Sequence, residues 1–389
     1  MIDVDRVRKD TPGCFQRVHF NNAGASLPPQ AVLETVLGYL EEESRVGGYE
    51  LAAARAEEIA KVYGSIASLI GGKAEEISRA ENATRAWEMA FYGIDFKKGD
   101  RILTTFTEYC SNYVSYLHLA KTKGIEIHVV EDDGEGALDL TSLERELERG
   151  AKLVSINHIP TNSGLVNPAE EVGKLAEEYG TLYLLDACQS VGQKPIDVHR
   201  LRCDFLSATG RKFLRGPRGT GFLYVREERL GELHPPIIDA FAASYTTNDY
   251  EPHLDRRRFE TFEFNPGLFL GLGRAVEYAM EIGVEKGWKR IQMLASHLRE
   301  SLDQLEGVNV RDLGKIRGGI VTFEVKGQDH FELRDRLIEN GFNVSVTQES
   351  NAYLDMKRRG LESLVRASVH YYNTIEEIER FCEAVHSLI

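Results

Sequence analysis

Two stretches of this sequence bring together residue types able to do chemistry: Leu182-Tyr183-Leu184-Leu185-Asp186-Ala187-Cys188-Gln189, and the segment 207–221 with Thr209-Gly210-Arg211-Lys212 at its centre. In the first, an apolar run delivers a carboxylate at its end, and in open α/β sheets ligands bind beyond the carboxyl ends of the strands. An isolated aspartate there would equally serve to cap the next helix. In the second, Lys212 stands among glycines, hydroxyls and other cations. Desolvation and neighbouring positive charge favour a neutral, nucleophilic amine, which suits a Schiff-base lysine beside a phosphate. A solvated basic loop is the plainer alternative, and it explains the flanking glycines poorly.

These residues need elements to hold them. Short apolar runs at 101–105, 126–130, 153–157, 181–185, 205–207 and 221–225 alternate with amphipathic segments, the pattern of an α/β domain around a largely parallel sheet. Residues 31–69 show helical spacing, broken into two helices at Gly47-Gly48, and Asp139 caps a connecting helix over 139–150. Beyond Phe264 the texture changes. A long helical stretch over 265–305, a strand at 320–325, a helix at 331–340, a strand at 342–346 and a last helix at 374–388 describe an α+β unit. The expected division is a large unit over 1–264, including the N-terminal segment, and a small C-terminal domain over 265–389. The loop 347–363, with Met356-Lys357-Arg358-Arg359-Gly360, is expected near a substrate.

Bulk properties narrow the function. The chain has 389 residues and a formal charge of −14, which disfavours a nonspecific grip on nucleic acid or anionic membrane. The N-terminal residues lack the apolar stretch of a leader, so a cytoplasmic protein with a small-molecule substrate is expected. Five cysteines without a C-x-x-C pair suggest buried free thiols, with no metal site and no disulfide framework.

Taken in order along nearly the whole chain, the motifs resemble the class V aminotransferase-like branch of fold-type I pyridoxal-phosphate enzymes, which includes cysteine desulfurases, isopenicillin N epimerase-like proteins and carbon–sulfur lyases. The resemblance implies that Lys212 forms the Schiff base with pyridoxal 5'-phosphate, that Asp186 pairs with the pyridine nitrogen, and that Gln189 contacts the ring hydroxyl. It puts the phosphate at a helix start, on Ala83 and Thr84, with Thr209 and Arg211 completing its site. Tyr109, within Glu108-Tyr109-Cys110-Ser111-Asn112, takes the place of the aromatic ring over the pyridine, where many relatives carry histidine. The segment 158–164 resembles the loop that approaches substrate, which gives Thr161 or Asn162 as a polar contact and leaves His158 a structural histidine. Asn22, in Phe20-Asn21-Asn22-Ala23-Gly24, would touch substrate from the N-terminal segment, unless that stretch is a plain turn. Arg366, in Leu364-Val365-Arg366-Ala367-Ser368, resembles the group that grips the substrate carboxylate. A homodimer is the family expectation.

The sequence also departs from the desulfurase pattern. Those enzymes carry a nucleophilic cysteine on the loop before the carboxylate arginine, whereas residues 342–366 here contain none. Ser345 aligns with a second desulfurase arginine, and the threonine that relatives often place near Glu263, reaching toward a partner's phosphate, is missing. The expected reaction is α-proton removal by Lys212 with β-elimination of sulfur from a cysteine-derived amino acid, giving pyruvate and ammonia. Transamination, epimerisation or decarboxylative deamination would use the same Lys212, Asp186 and Arg366. A non-catalytic cofactor-binding partner protein is the reading of another class.

Overall fold

The computed structural model describes residues 2–389; Met1, with which the N-terminal stretch compared above with a leader begins, lies outside the described residues. Seven strands form the main sheet in the order Ile77–Ala80, Gly221–Val225, Phe205–Thr209, Leu182–Asp186, Leu153–Asn157, Arg101–Thr105, Glu126–Val130. Only Gly221–Val225 runs against the others. Three central strands are buried at every position, which is why their sequences read as continuous apolar runs rather than alternating ones. Helices on both faces close two apolar clusters, one around Leu103, Ile156, Leu185 and Leu206, the other around Trp87, Phe91, Tyr116 and Leu184.

A smaller antiparallel sheet, ordered Val308–Val310, Ile320–Val325, Ser363–Ser368, Ser345–Gln348, packs against helices Val284–Asp303 and Ile375–Leu388 through Leu294, Leu298, Phe323, Val365 and Phe381. Thr374 caps the last helix, its hydroxyl accepting from the Glu377 amide while the Glu377 carboxylate reaches back to the Thr374 amide. Among the described residues no helix is long and apolar enough to cross a membrane.

Both halves of the expected division shift. The helical stretch of 265–305 is two helices, Pro266–Ile282 and Val284–Asp303, parted at Gly283, whose φ of 87° only glycine adopts freely. Its first half belongs by packing to the large unit, because Phe269, Leu272 and Val276 join the core that holds Tyr39, Val62 and Ile66. In the other direction, Val18–His19 pairs in parallel with Phe342–Asn343, and Phe20 lies in the small unit's core, so the N-terminal segment belongs to both units. The same pairing splits the expected strand over 342–346: Phe342–Asn343 faces the N-terminal segment, and Ser345–Gln348 pairs with Ser363–Ser368. Residues 31–69 hold three helices rather than two, since Arg55 ends Gly48–Ala54 and begins Ala56–Ile70. The loop over 347–363 is largely ordered, with a helix at Tyr353–Arg358.

Candidate active site

Adjacent parallel strands set the first pair of residues side by side. Asn157 and Asp186 are register partners at the carboxyl ends of Leu153–Asn157 and Leu182–Asp186, and Asp186 is in register with Ser207 on the other side. Lys212 follows Phe205–Thr209 in a tight turn closed by bonds from Gly216 N to Gly210 O, 2.7 Å, and from Arg215 N to Lys212 O, 2.9 Å. Two glycines of that motif are required by close approach. A Cβ on Gly210 would lie 2.2 Å from Thr220 Oγ1, and one on Gly221 would lie 2.7 Å from Ala208 O and 2.9 Å from Asn82 C. Gly221 thus lets the end of its strand pass against the start of helix Ala83–Gly93.

A cavity of about 520 Å³ opens there, lined by Ala83, Thr84, Tyr109, Thr161, Asp186, Cys188, Gln189, Arg211 and Lys212 together with Asn112, Asn157 and Arg218. Asp186 is 7% exposed; its Oδ1 accepts from the Cys188 amide at 2.9 Å and its Oδ2 from Asn112 Nδ2 at 3.0 Å. Burial raises its pKa, opposed by the Cys188 amide, Lys212 and Asn112. Burial likewise lowers the Lys212 amine below its ordinary basicity, with Arg211 and Arg366 adding to the effect and Cys188 and Asp186 opposing it.

The residues present fit pyridoxal phosphate. Gln189 Oε1 and Asn157 Oδ1 are buried without a hydrogen-bond partner, two polar atoms left open beside the cavity. The helix Ala83–Gly93 is capped by Asn82, which takes the Arg85 amide at 2.9 Å and leaves the Ala83 and Thr84 end free for an anion. Arg211 lines the same end, oriented by a 3.0 Å bond from its Nη1 to Thr209 Oγ1.

Arg366 stands on Ser363–Ser368 in the small unit and reaches the large one. Its Nη1 donates to Thr161 O and Oγ1 at 3.0 and 2.9 Å, and its Nε donates to Ser345 Oγ at 3.1 Å. Among the described residues no carboxylate pairs with it. Burial brings its pKa down to about 10, Arg211 adding to the effect and Tyr109 opposing it. Ser345 thus helps hold Arg366 in place.

Three expected contacts are not where the sequence reading put them. Asn22 is fully buried, donating to His19 O and Ser368 O and accepting from Tyr372 OH, so it braces the N-terminal segment and has no group left for a substrate. Asn162 turns away from the cavity and donates to Asp355 Oδ2 at 2.8 Å, which leaves Thr161 as the polar group of that loop. Thr209 is 2% exposed, its hydroxyl satisfied by Arg211 and Thr220 O, so it acts behind Arg211. The expectation of buried free thiols holds for Cys14, Cys203 and Cys382, whereas Cys110 and Cys188 are half-buried, and Cys188 lines the cavity beside Lys212. His158 is 2% exposed, and burial, with Lys194, pushes its pKa down to about 3.

Sequence reading passed over Asn112, Asn157 and Glu108. Asn112 was visible as the residue one helical turn after Glu108, and Asn157 as the strand end beside that of Asp186.

The model of the aminotransferase class-V family matches residues 18–381. The probable cysteine desulfurase of Pyrococcus abyssi is 33% identical over 396 residues, covering 98% of this chain and 97% of the relative. That of Methanothermobacter thermautotrophicus is 28% identical over 397 residues, covering 99% and 98%. Among solved structures, the apo cysteine desulfurase from Thermococcus onnurineus NA1 superposes with a TM-score of 0.94 at 31% identity, over 100% of this chain and 98% of the other. A cystine C–S lyase in complex with its product cysteine persulfide shares the fold, with a TM-score of 0.87 at 23% identity over 97% and 99% of the two chains. Fold and site together define a fold-type I pyridoxal-phosphate-dependent enzyme, a lyase or transferase. Within that class the chain belongs to the aminotransferase class-V family.

Proposed function

We propose that this enzyme cleaves the carbon–sulfur bond of a cysteine-derived amino acid by β-elimination, taking up water to give pyruvate, ammonia and the free sulfur compound. The observation that carries this reading is the segment 342–366, which holds no cysteine and instead folds into helix Tyr353–Arg358 tied to the large unit through Asp355 and Arg358. No enzyme thiol on that segment is available to accept the sulfur.

Pyridoxal phosphate, when bound, supplies the electron sink for a carbanion at the substrate's α-carbon. In this reading Asp186 keeps the pyridine nitrogen protonated, Gln189 meets the ring hydroxyl, and Ala83, Thr84 and Arg211 hold the phosphate, with Thr209 orienting Arg211. Tyr109 offers its flat face to the ring. Arg366, desolvated and without a carboxylate of its own, binds the substrate's carboxylate, and Thr161 fixes the guanidinium. Lys212 Nζ takes the α-proton, and the ammonium so formed protonates the leaving thiolate. A homodimer is part of the proposal, supported by the exposed apolar surface of Tyr49, Tyr245, Leu254 and Phe262.

The test is to incubate holoenzyme with cysteine, cystine and S-substituted cysteines and identify products by mass spectrometry. Pyruvate and ammonia in equal amounts are expected. Alanine as product would sink elimination in favour of desulfuration, and an inverted amino acid would favour epimerisation.

A further inference from the structure

Behind the cavity the chain buries a second carboxylate for which the reaction above has no use. Glu108 is 2% exposed, and its two oxygens face unlike neighbours. Oε1 receives only N–H groups: the Tyr109 amide at 2.7 Å, Asn112 Nδ2 at 3.0 Å and Asn157 Nδ2 at 2.9 Å. Oε2 meets two hydroxyls, Thr104 Oγ1 at 2.8 Å and Tyr116 OH at 2.9 Å.

The Tyr116 hydroxyl also lies 2.8 Å from Ser155 Oγ. A phenol has one proton, so Tyr116 gives it either to Glu108 or to Ser155. When it points to Ser155, the Tyr116 oxygen is free to accept a proton carried on Glu108 Oε2. No bond of the network is lost in that exchange. Asn112 Nδ2, with two hydrogens, serves Glu108 Oε1 and Asp186 Oδ2 at 3.0 Å each.

We propose that Glu108 is a positioning residue for Asp186: through Asn112 it fixes the Asp186 carboxylate, and by taking a solvent proton on Oε2 it leaves the buried pair with one negative charge, held on Asp186. The inference deepens the reading of Asp186 as the partner of the cofactor's ring nitrogen and rests on it.

The groups facing Glu108 are Asp186 from strand Leu182–Asp186, Tyr116 from helix Cys110–Lys123 and the adjoining Tyr109; Lys212 stands beyond Asp186. Among the described residues no cation pairs with Glu108. Two carboxylates bridged by one amide and shielded from water cannot both ionise without a large electrostatic cost. Burial and, after it, the charge of Asp186 accordingly push Glu108 up to about 7. Asp186 keeps its charge because the Lys212 amine lies near it, whereas no cation offsets the burial of Glu108.

The variant that tests this is Glu108→Gln, whose amide nitrogen can donate to Tyr116 and Thr104 as the protonated acid would. Unfolding of the apo protein between pH 5 and 8 should show the wild type losing stability relative to Glu108→Gln as pH rises through about 7, by the linkage of about one proton. In the holoenzyme, the wild type should show a step in the cofactor's visible band over the same range, and Glu108→Gln should lack it. Should Glu108→Gln not fold, Asp186→Asn removes the charge that opposes ionisation of Glu108, and the pH dependence of apo unfolding should then move to lower pH. Equal pH dependence of unfolding in wild type and Glu108→Gln, or an unmoved unfolding profile in Asp186→Asn, would overturn the shared charge. If the apo results hold while wild type shows no band step, the assignment of Asp186 to the ring nitrogen is what fails.

Discussion

Asn162 donates a 2.8 Å hydrogen bond to Asp355, a residue 193 positions away, and this bond fastens the helix before the Arg366 strand onto the loop that carries Thr161. Arg359 donates to the same oxygen, Asp355 Oδ2, at 3.0 Å, and Arg358 pairs with Asp132 while lying 3.9 Å over the Phe106 ring. Asp355→Ala should therefore free the segment. A loss of about 1–3 kcal/mol in unfolding free energy is expected, together with faster tryptic cleavage after Lys357, Arg358 and Arg359. Unchanged proteolysis would show that the helix is held by other means.

Lys212→Ala should fold and keep cofactor only noncovalently. Borohydride should no longer trap the cofactor on the chain, and turnover should fall by roughly 10²-fold or more, since the proton carrier is gone. Recovery of a labelled peptide containing a different lysine would refute the assignment.

Asp186→Asn preserves size and can keep one of the two bonds accepted from the Cys188 amide and Asn112 Nδ2, while removing the charge proposed to face the ring nitrogen. Cofactor binding should persist, and kcat should fall together with the absorbance of the protonated ring. Near-normal turnover would mean that the ring nitrogen is served by another group.

Replacing all five cysteines by serine or alanine should leave substantial production of pyruvate and ammonia, because elimination needs no enzyme thiol. The sensitive position is Cys188, whose thiol burial makes it harder to ionise although it touches the Lys212 amine. Activity abolished by Cys188→Ser alone, with cofactor still bound, would place a thiol in the mechanism.

His158 gives a pH signature on stability. Its folded pKa of about 3, lowered by burial and by Lys194, is below the unfolded value of 6.5, so the unfolded chain binds the proton more readily. Stability is full above 6.5 and declines as pH falls toward 3, at about 1.4 kcal/mol per pH unit from this group. His158→Gln should flatten the acid limb of an unfolding titration run from pH 7 to 4, and an unchanged slope would show that the imidazole is protonated in the folded state.

The sequence by itself determined the parallel-sheet unit and its strands, and singled out Asp186 and Lys212, because apolar runs and a glycine-rich lysine turn are local patterns. Asp186 ends a strand buried over its last four residues, and Lys212 follows by three residues a strand buried at all five. What only the tertiary structure decided concerns side chains with more than one possible partner. Asn22 and Asn162 are polar residues in the right motifs, yet each spends its hydrogen bonds on residues distant in sequence, Ser368 and Tyr372 for one and Asp355 for the other, while Thr209 spends its own within its motif, on Arg211 and Thr220. The packing of helix Pro266–Ile282 with the large unit's core was hidden for a similar reason, since the spacing of an amphipathic helix tells which face is apolar and says nothing of which core that face will join. Glu108 shows the limit most clearly: its neighbours Asn157, Tyr116 and Asp186 converge from two strands and a helix, and only their convergence turns an ordinary glutamate into a buried partner of the anchor.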